Sequence, residues 1–427
     1  MNILILGATG FIGSAVAARL LEDGHVITGL GRNPGRARLR QPSIRWISAN
    51  LARMTDAADW ATVLEGQQIV VNGAGALQDG LSDDLAATQE RAMIALQGAA
   101  RTAGVKLIVQ ISARTDGAGR DRPFLATKRA ADLALAASGI PYVILRPALV
   151  LGRNAHGGTA LLRSLATIPL VLPLIHADSP VETVAVEDVA AAVSAAICGA
   201  LPSGSDIELA AEERQTLASL VKLHRAWLGL PHAPVISIPP ILARPVTWLA
   251  DMAGHLGWRS PLRSTAMTVM SEGISMDRAP PSGLATLSAA ATLSGNPSGV
   301  QDLWFARLYL LKPLVISGLS AFWLLSGLIP LLAIEKTSTH FLPFMPEAAA
   351  TMLTLATCLI DIALGAAVLF RPLAKRALLG MLAVSLAYLI GASLIEPALW
   401  LDPLGPLVKV LPSILLTLTA LATLDER

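Results

Sequence analysis

The sequence predicts two structural classes in series: an α/β domain on a doubly wound parallel sheet with a small substrate lobe, then an all-α domain of four transmembrane helices. Three observations carry this. The chain opens on a short apolar run, residues 3–6, that breaks into Gly7, Gly10 and Gly13 and then into a helical pattern over residues 14–22. Strand-like and helix-like stretches alternate from there to residue 228. Four long apolar stretches follow, at residues 308–333, 348–370, 377–395 and 404–424. Composition agrees: of 427 residues 53% are hydrophobic and 15% charged, and the mean hydropathy is +0.57, well above that of ordinary globular domains. A net charge of +2 argues against nucleic acid as a partner. Cys198 and Cys358 lack metal-ligand or redox spacing and read as reduced bystanders, and no metal site is expected. The apolar run before Gly7 is too short for a secretory signal, so the first domain is expected in the cytoplasm.

The opening motif joins a buried strand to a helix through a glycine turn. Gly7 permits the tight turn, Gly10 lets the backbone approach a pyrophosphate, and Gly13 lets the helix pack closely on the strand. The helix N-terminus presents free N–H groups and the positive end of its dipole to phosphate. Together they predict a dinucleotide site on Gly7, Thr9, Gly10, Phe11, Ile12 and Gly13. The second strand, residues 25–30, leads into Gly31-Arg32-Asn33-Pro34-Gly35-Arg36. An acidic residue there would hold the ribose of NAD; Arg32 stands in its place with Arg36 and Arg38 nearby, and guanidinium suits a 2′-phosphate, so NADP(H) is favoured over NAD(H).

Further elements follow in order. Residues 43–48 read as a short strand, 56–64 as a helix, and 68–72 as a strand leading into Asn72-Gly73-Ala74-Gly75, whose small residues let a cofactor lie on the backbone. A helix is expected over 83–103, a strand over 106–112, a helix over 122–138 and a strand over 142–146 closed by Pro147. Such alternation implies parallel strands with right-handed crossovers.

The motifs GATGFIG, VNGAG and ILRPALVLG, with a strand ending in Ser112 and a lysine four residues after Phe124, resemble an atypical (extended-type) short-chain dehydrogenase/reductase with an NAD(P)-binding Rossmann domain over residues 1–230. The resemblance implies a tyrosine and a lysine four apart on one helix face with a serine on the preceding strand, the lysine lowering the phenol's pKa. Here the motif is Phe124-Leu-Ala-Thr-Lys128, and phenylalanine has no proton to give. The three tyrosines lie elsewhere: Tyr142 opens a strand, and Tyr309 and Tyr388 fall in the hydrophobic tail. Ser112 and Lys128 match the pattern and are the candidate catalytic residues; Lys128 is also expected to hold the cofactor ribose.

Beyond Gly152 a substrate lobe is expected. His156 lies just after the strand over 142–146, where ligands approach strand C-termini. Glu187 and Asp188 read as N-terminal caps of a helix, and residues 207–228 as one more strand and helix. From residue 231 the pattern fades. Residues 241–262, with Trp248 and Trp258, fit either a membrane-surface segment or packing under the sheet domain, and the sequence leaves both open. Residues 277–299, rich in Pro, Gly, Ser and Ala, read as a linker.

Each apolar stretch of the tail is near the twenty or so residues that cross a bilayer as a helix. Arg307, Lys312, Arg371, Lys375 and Arg376 on one side outnumber Lys336 and Lys409 on the other, which places both termini in the cytoplasm. The tail, with WLDPLGPLVKVLP from Trp400, is similar to the DoxX-like family of four-helix membrane domains, whose wider relatives imply quinone or thiol redox work. Asp361 falls mid-span, with Lys312 as its expected partner. The expected layout is a Rossmann domain with lobe over 1–230, a linker and surface segment over 231–300, and a membrane domain over 301–427. The expected activity is a membrane-anchored NADP(H)-dependent oxidoreductase of the inner membrane, acting on a lipophilic carbonyl or quinone. The alternative is a non-catalytic NADP(H)-binding membrane protein, suggested by Phe124; a sugar-nucleotide epimerase is disfavoured by the missing tyrosine.

Overall fold

Strand β1 (Asn2–Leu6) alternates its side chains between two cores, as a strand buried on both faces must. Ile3 and Ile5 enter one cluster with Val16, Ala17 and Leu20 of α1 (Phe11–Glu22), while Leu4 and Leu6 enter another with Trp60, Met93 and Leu96. The computed structural model describes residues 1–75, 80, 84–115, 118–276, 284–403 and 405–425. Residue 83 of the expected fourth-strand crossover, residues 277–283 of the expected linker and residue 404 of the expected last span lie outside the described residues.

The sheet adds β2 (Val26–Gly31), β3 (Arg45–Ser48), β4 (Ile69–Asn72), β5 (Leu107–Ile111), β6 (Tyr142–Pro147) and β7 (Ser205–Leu209). Its order is β3-β2-β1-β4-β5-β6-β7 and every pair is parallel, with Ile5 opposite Gly29 on one side and Val71 on the other. The order reverses between β1 and β4, the position where open α/β sheets bind ligands beyond the strands' carboxyl ends. Helices α2 (Ala92–Thr102) and α3 (Pro123–Ala137) cover one face; α1 and α5 (Val186–Ile197) cover the other, with α4 (Gly158–Ala166) lying between α3 and α5 in sequence. The expected helix over 56–64 is a 3₁₀ turn, Ala57–Trp60, running into Ala61–Leu64, and α2 is preceded by a π-helical stretch, Ala86–Arg91.

Contacts divide the chain into two units, residues 1–251 with 260–306 and residues 252–259 with 307–427. In the first, α6 (Leu217–Trp227) and α9 (Ala289–Gly295) share the lobe's core: Leu220, Val221, Ala289 and Ala306 are buried in one cluster. The described part of the expected linker is therefore packed structure. Small residues reach the lobe core there, because Ser288 caps α9 by accepting from Ala291 N–H, and Ala289 and Leu293 face inward. Between them come α7 (Pro240–His255) and α8 (Ser264–Glu272).

The second unit contains α10 (Val300–Leu332, whose first residues belong to the first unit), α11 (Glu347–Ala367), α12 (Arg371–Ile395) and α13 (Val410–Leu424). The first three are long and apolar enough to cross a membrane. The fourth expected span, 404–424, contains the shorter apolar helix α13 of 15 residues, about 22 Å long. Before it Gly405 turns at φ +58°, and residues 406–409 form hydrogen-bonded turns, with Lys409 N–H donating to Gly405 O at 3.1 Å. Helices α10 and α11 approach closely through glycines: a Cβ on Gly365 would stand 2.8 Å from Leu324 N, and Ser320 Oγ donates to Gly365 O at 2.7 Å.

Candidate functional site

The turn after β1 is built from backbone. Gly7 has φ +70° and donates its N–H to Leu30 O at 3.1 Å, and Gly10 N–H returns to Gly7 O at 2.7 Å. A Cβ on Gly7 would stand 2.8 Å from Ala74 Cα and 2.9 Å from Gly73 O, so the β1 turn and the VNGAG turn of β4 lie in direct contact. On Gly10 it would stand 2.8 Å from Gly7 O, and on Gly13 2.8 Å from Gly7 C and 3.1 Å from Ala8 Cα. Gly10 caps α1 with no side-chain hydrogen bond, leaving the first N–H groups of the helix to a ligand. Phe11 and Ile12 are half-buried, Ile12 against the sheet core; a Cβ on Gly152 would lie 3.3 Å from the Phe11 ring. Thr9 sits across from Gly31, whose Cβ would stand 3.1 Å from Thr9 Cγ2. A tight glycine turn, an uncapped helix N-terminus and the strand-order reversal fit a dinucleotide pyrophosphate.

Arg32 is exposed immediately beyond β2, its carbonyl accepting from Ser48 Oγ at 3.0 Å. Arg36 is exposed as well, whereas Arg38 donates Nη2–H to Trp46 O at 3.2 Å and is committed to the fold.

Lys128 on α3 is 7% exposed. Its Nζ donates to Ile111 O at 3.3 Å, at the carboxyl end of β5, and lies 5.8 Å from the Phe124 ring centroid. A Cβ on Gly75 would come within 3.7 Å of Nζ. The structure therefore brings Lys128, Gly75 and the strand end holding Ser112 together. Burial lowers the lysine's pKa below its usual value, with the Arg146 charge adding to the effect and the Asp132 carboxylate opposing it.

Ser112 does not stand free beside Lys128. Its Oγ donates to Asp132 Oδ2 at 2.6 Å, and both residues are buried. Asp132 also pairs with Arg146 Nη1 at 3.0 Å; Arg146 in turn donates to Ala113 O at 2.6 Å and makes two bonds to Asp206, at 2.7 and 2.9 Å. Burial raises the Asp132 carboxyl above its usual range, against the pull of Ser112, Arg146 and Lys128. Among the described residues Asp132 Oδ1 is buried without a hydrogen-bond partner. Sequence reading missed Asp132, Arg146 and Asp206. The legible signal was the i, i+4 spacing of Lys128 and Asp132, which puts them on one face of α3.

His156 lies exposed in the loop before α4, its N–H donating to Thr159 Oγ1 at 3.0 Å. Glu187 and Asp188 occupy the first turn of α5, where they face the positive end of its dipole, but the reading of them as caps is corrected, since Ala185 holds the cap position; Asp188 also accepts Leu287 N–H at 2.7 Å, and burial raises its carboxyl. In the second unit the expected Lys312 partner of Asp361 is corrected. Asp361 accepts from Ser326 Oγ at 2.9 Å and Tyr388 OH at 3.0 Å. Lys312 lies 14 residues before Ser326 on α10, about 21 Å along the axis and beyond a lysine's reach, and donates to Leu424 O at 3.3 Å.

With this geometry in view, the NAD(P)H-binding family description matches residues 7–197 and the DoxX-like family residues 320–418. The chain joins an NAD(P)-binding Rossmann domain to a DoxX-like domain. Uncharacterized proteins of Mycobacterium bovis and Mycobacterium tuberculosis are each 27% identical over 254 residues, 59% of this chain and 26% of theirs, so the chain spans about a quarter of the length of the curated relatives it matches. Among solved structures, gox2253 is 21% identical with a TM-score of 0.53, covering 72% of this chain and 98% of that one. UDP-glucose 4-epimerase of Thermotoga maritima, solved with UDP-glucose, is 19% identical with a TM-score of 0.47, covering 56% and 86%. The gox2253 likeness is one of fold.

Proposed function

We propose that the chain is a membrane-anchored NADP(H)-dependent oxidoreductase acting on a lipophilic carbonyl or quinone-like compound, with Lys128 as its proton-transferring group. What carries this reading is a buried ammonium at the carboxyl end of β5, next to Gly75 and the glycine turn. Bound NADP(H) supplies or accepts the hydride. Gly7, Thr9, Gly10, Phe11, Ile12 and Gly13 hold its pyrophosphate, Arg32 its 2′-phosphate, and Gly75 leaves room for it beside β4. Lys128 Nζ, with its lowered pKa, gives a proton to a substrate oxygen and recovers it from solvent. Ser112 acts as a positioning residue: it fixes Asp132, which with Arg146 sets the field at Lys128.

The basic residues at 307, 312, 371, 375 and 376 favour an inner-membrane protein whose first domain, residues 1–230, faces the cytoplasm. Residues 301–427 form its membrane domain. Within residues 231–300, α7 is proposed to lie in the membrane surface. Ile241, Leu242, Val246, Trp248 (61% exposed), Leu249 and Met252 fall on one side of the helix, while the buried positions Ala243, Ala250 and Gly254 fall opposite. A helix that buries its small face and exposes its large apolar one suits lipid, and Trp248 suits the headgroup level.

The second reading is a non-catalytic NADP(H)-binding protein, favoured by Phe124 at the proton donor's place. Titration of the full chain in nanodiscs with NADPH and NADH, followed by NADPH oxidation with a soluble quinone, separates the two. Tighter binding of NADPH, reduced about tenfold in Arg32→Ala while NADH binding is unchanged, supports the nucleotide preference. Turnover that falls in Lys128→Ala supports the enzyme. NADPH binding without turnover across quinones and carbonyls supports the second reading, and absence of binding to either nucleotide overturns both.

A further inference from the structure

The second unit carries a half-open cavity of about 200 Å³ whose walls include Ser326, Pro330, Phe341, Cys358, Asp361 and Tyr388. Its polar groups come from α10, α11, α12 and the short helix Ile334–Ser338, and their protons are already committed. Ser326 and Tyr388 donate to the two oxygens of Asp361. Thr354 donates to Ala350 O at 2.9 Å, Thr357 to Thr354 O at 2.9 Å, and Thr337 to Ala333 O at 3.0 Å. Each hydroxyl oxygen keeps lone pairs, and the carboxylate keeps acceptor capacity beyond the two bonds it receives. The cavity therefore offers acceptors and one formal negative charge.

Asp361 is 5% exposed, and among the described residues its hydrogen-bond partners are both neutral hydroxyls. A carboxylate at this depth in a membrane helix is costly without a compensating charge. The space exceeds what a bare ion needs, since a water's share of liquid volume is about 30 Å³. Pro330 and Phe341 add apolar wall beside the charged end.

We propose that this cavity binds the protonated amino group of a small organic amine, with the ammonium on Asp361 and its hydrocarbon against Phe341 and Pro330. The site is separate from the nucleotide domain and does not rest on the oxidoreductase reading. The amine's N–H groups meet the carboxylate and the threonine oxygens, and its charge supplies what Asp361 lacks.

Cys358 lines the cavity and reports on occupancy. In the full chain in nanodiscs of zwitterionic and anionic phospholipid, with exposed Cys198 changed to Ser, the rate of Cys358 modification by methyl methanethiosulfonate is followed. The probes are hexylammonium, 1-hexanol and hexanoate. Hexylammonium is expected to slow modification saturably, about tenfold at ten times its Kd, by mass action. Hexanol and hexanoate are expected to give little protection, and Asp361→Asn to remove that of hexylammonium. If Asp361→Asn does not fold, Ser326→Ala gives the second reading: it keeps the carboxylate and should retain protection by hexylammonium over hexanol. Equal protection by hexanol and hexylammonium, protection that survives in Asp361→Asn, or no protection by any probe overturns the proposal.

Discussion

Gly13→Ala gives the sharpest test of how the nucleotide turn is built. The added Cβ would meet Gly7 O, Gly7 C at 2.8 Å and Ala8 Cα at 3.1 Å, all backbone atoms of the turn itself. No side chain can swing away, so α1 must move off β1 or the turn must open. Overpacking against fixed atoms costs about 1–3 kcal/mol, and contact with backbone alone points to the upper end. At roughly 2–4 °C per kcal/mol, Gly13→Ala should lower the midpoint of the nucleotide domain by about 6–12 °C. Two glycines serve as internal controls. Gly24, at φ +80° with nothing within 4 Å of its Cβ position, should pay only left-handed backbone strain, about 1–2 kcal/mol. Gly35, at the start of a short helix with open space and no positive φ, should be neutral or slightly stabilised by alanine. Thermal unfolding of the three variants in nanodiscs, with NADPH titration of each, reads the order directly. A Gly13→Ala protein that unfolds like Gly35→Ala and binds NADPH with unchanged Kd would refute the packing argument.

Other outcomes follow from the same structure. If Lys128 is the proton donor, activity should fall as pH rises through its lowered pKa, below the 10.5 of an ordinary lysine, and Lys128→Ala should lose about 10²–10⁴-fold in turnover; a pH–rate profile with no basic limb below 10.5 would count against it. His224 is buried with Nδ1 on Leu220 O at 2.9 Å, and burial lowers its pKa to about 4. The unfolded chain binds a proton between 6.5 and about 4 that the folded chain does not. Stability should therefore drop by about 3 kcal/mol as pH falls through that window, and a denaturant series should show this component gone in His224→Gln. For α7, a bimane label on Leu249→Cys in a Cys198→Ser background should be quenched by nitroxide lipids in liposomes, whereas one on Arg244→Cys, at an exposed polar position outside the apolar face, should be quenched by aqueous iodide. Iodide quenching at 249, or protection from both quenchers, would remove the membrane-surface placement.

Much of this molecule is local, and what is local was legible. The β1 turn is written in Gly10 and Gly13, where backbone contact with Gly7 and Ala8 admits no side chain, and in the positive φ of Gly7; that Gly7 also meets Gly73 and Ala74 only the packing shows. The alternation of strands and helices and the three long apolar helices follow from periodicity and length within single segments. In the fourth stretch hydropathy sets the extent but not the helix start, which lies at Val410, past the left-handed turn at Gly405. Tertiary structure alone decided the polar partners. Ser112 meets Asp132 across 20 residues, Arg146 joins Asp206 across 60, and Asp361 finds Ser326 and Tyr388 from two other helices. Type and spacing say that Ser112 and Asp361 are polar and buried. Which group satisfies each depends on how distant segments pack, since a buried donor or acceptor takes the nearest partner in space, whatever its place in the chain.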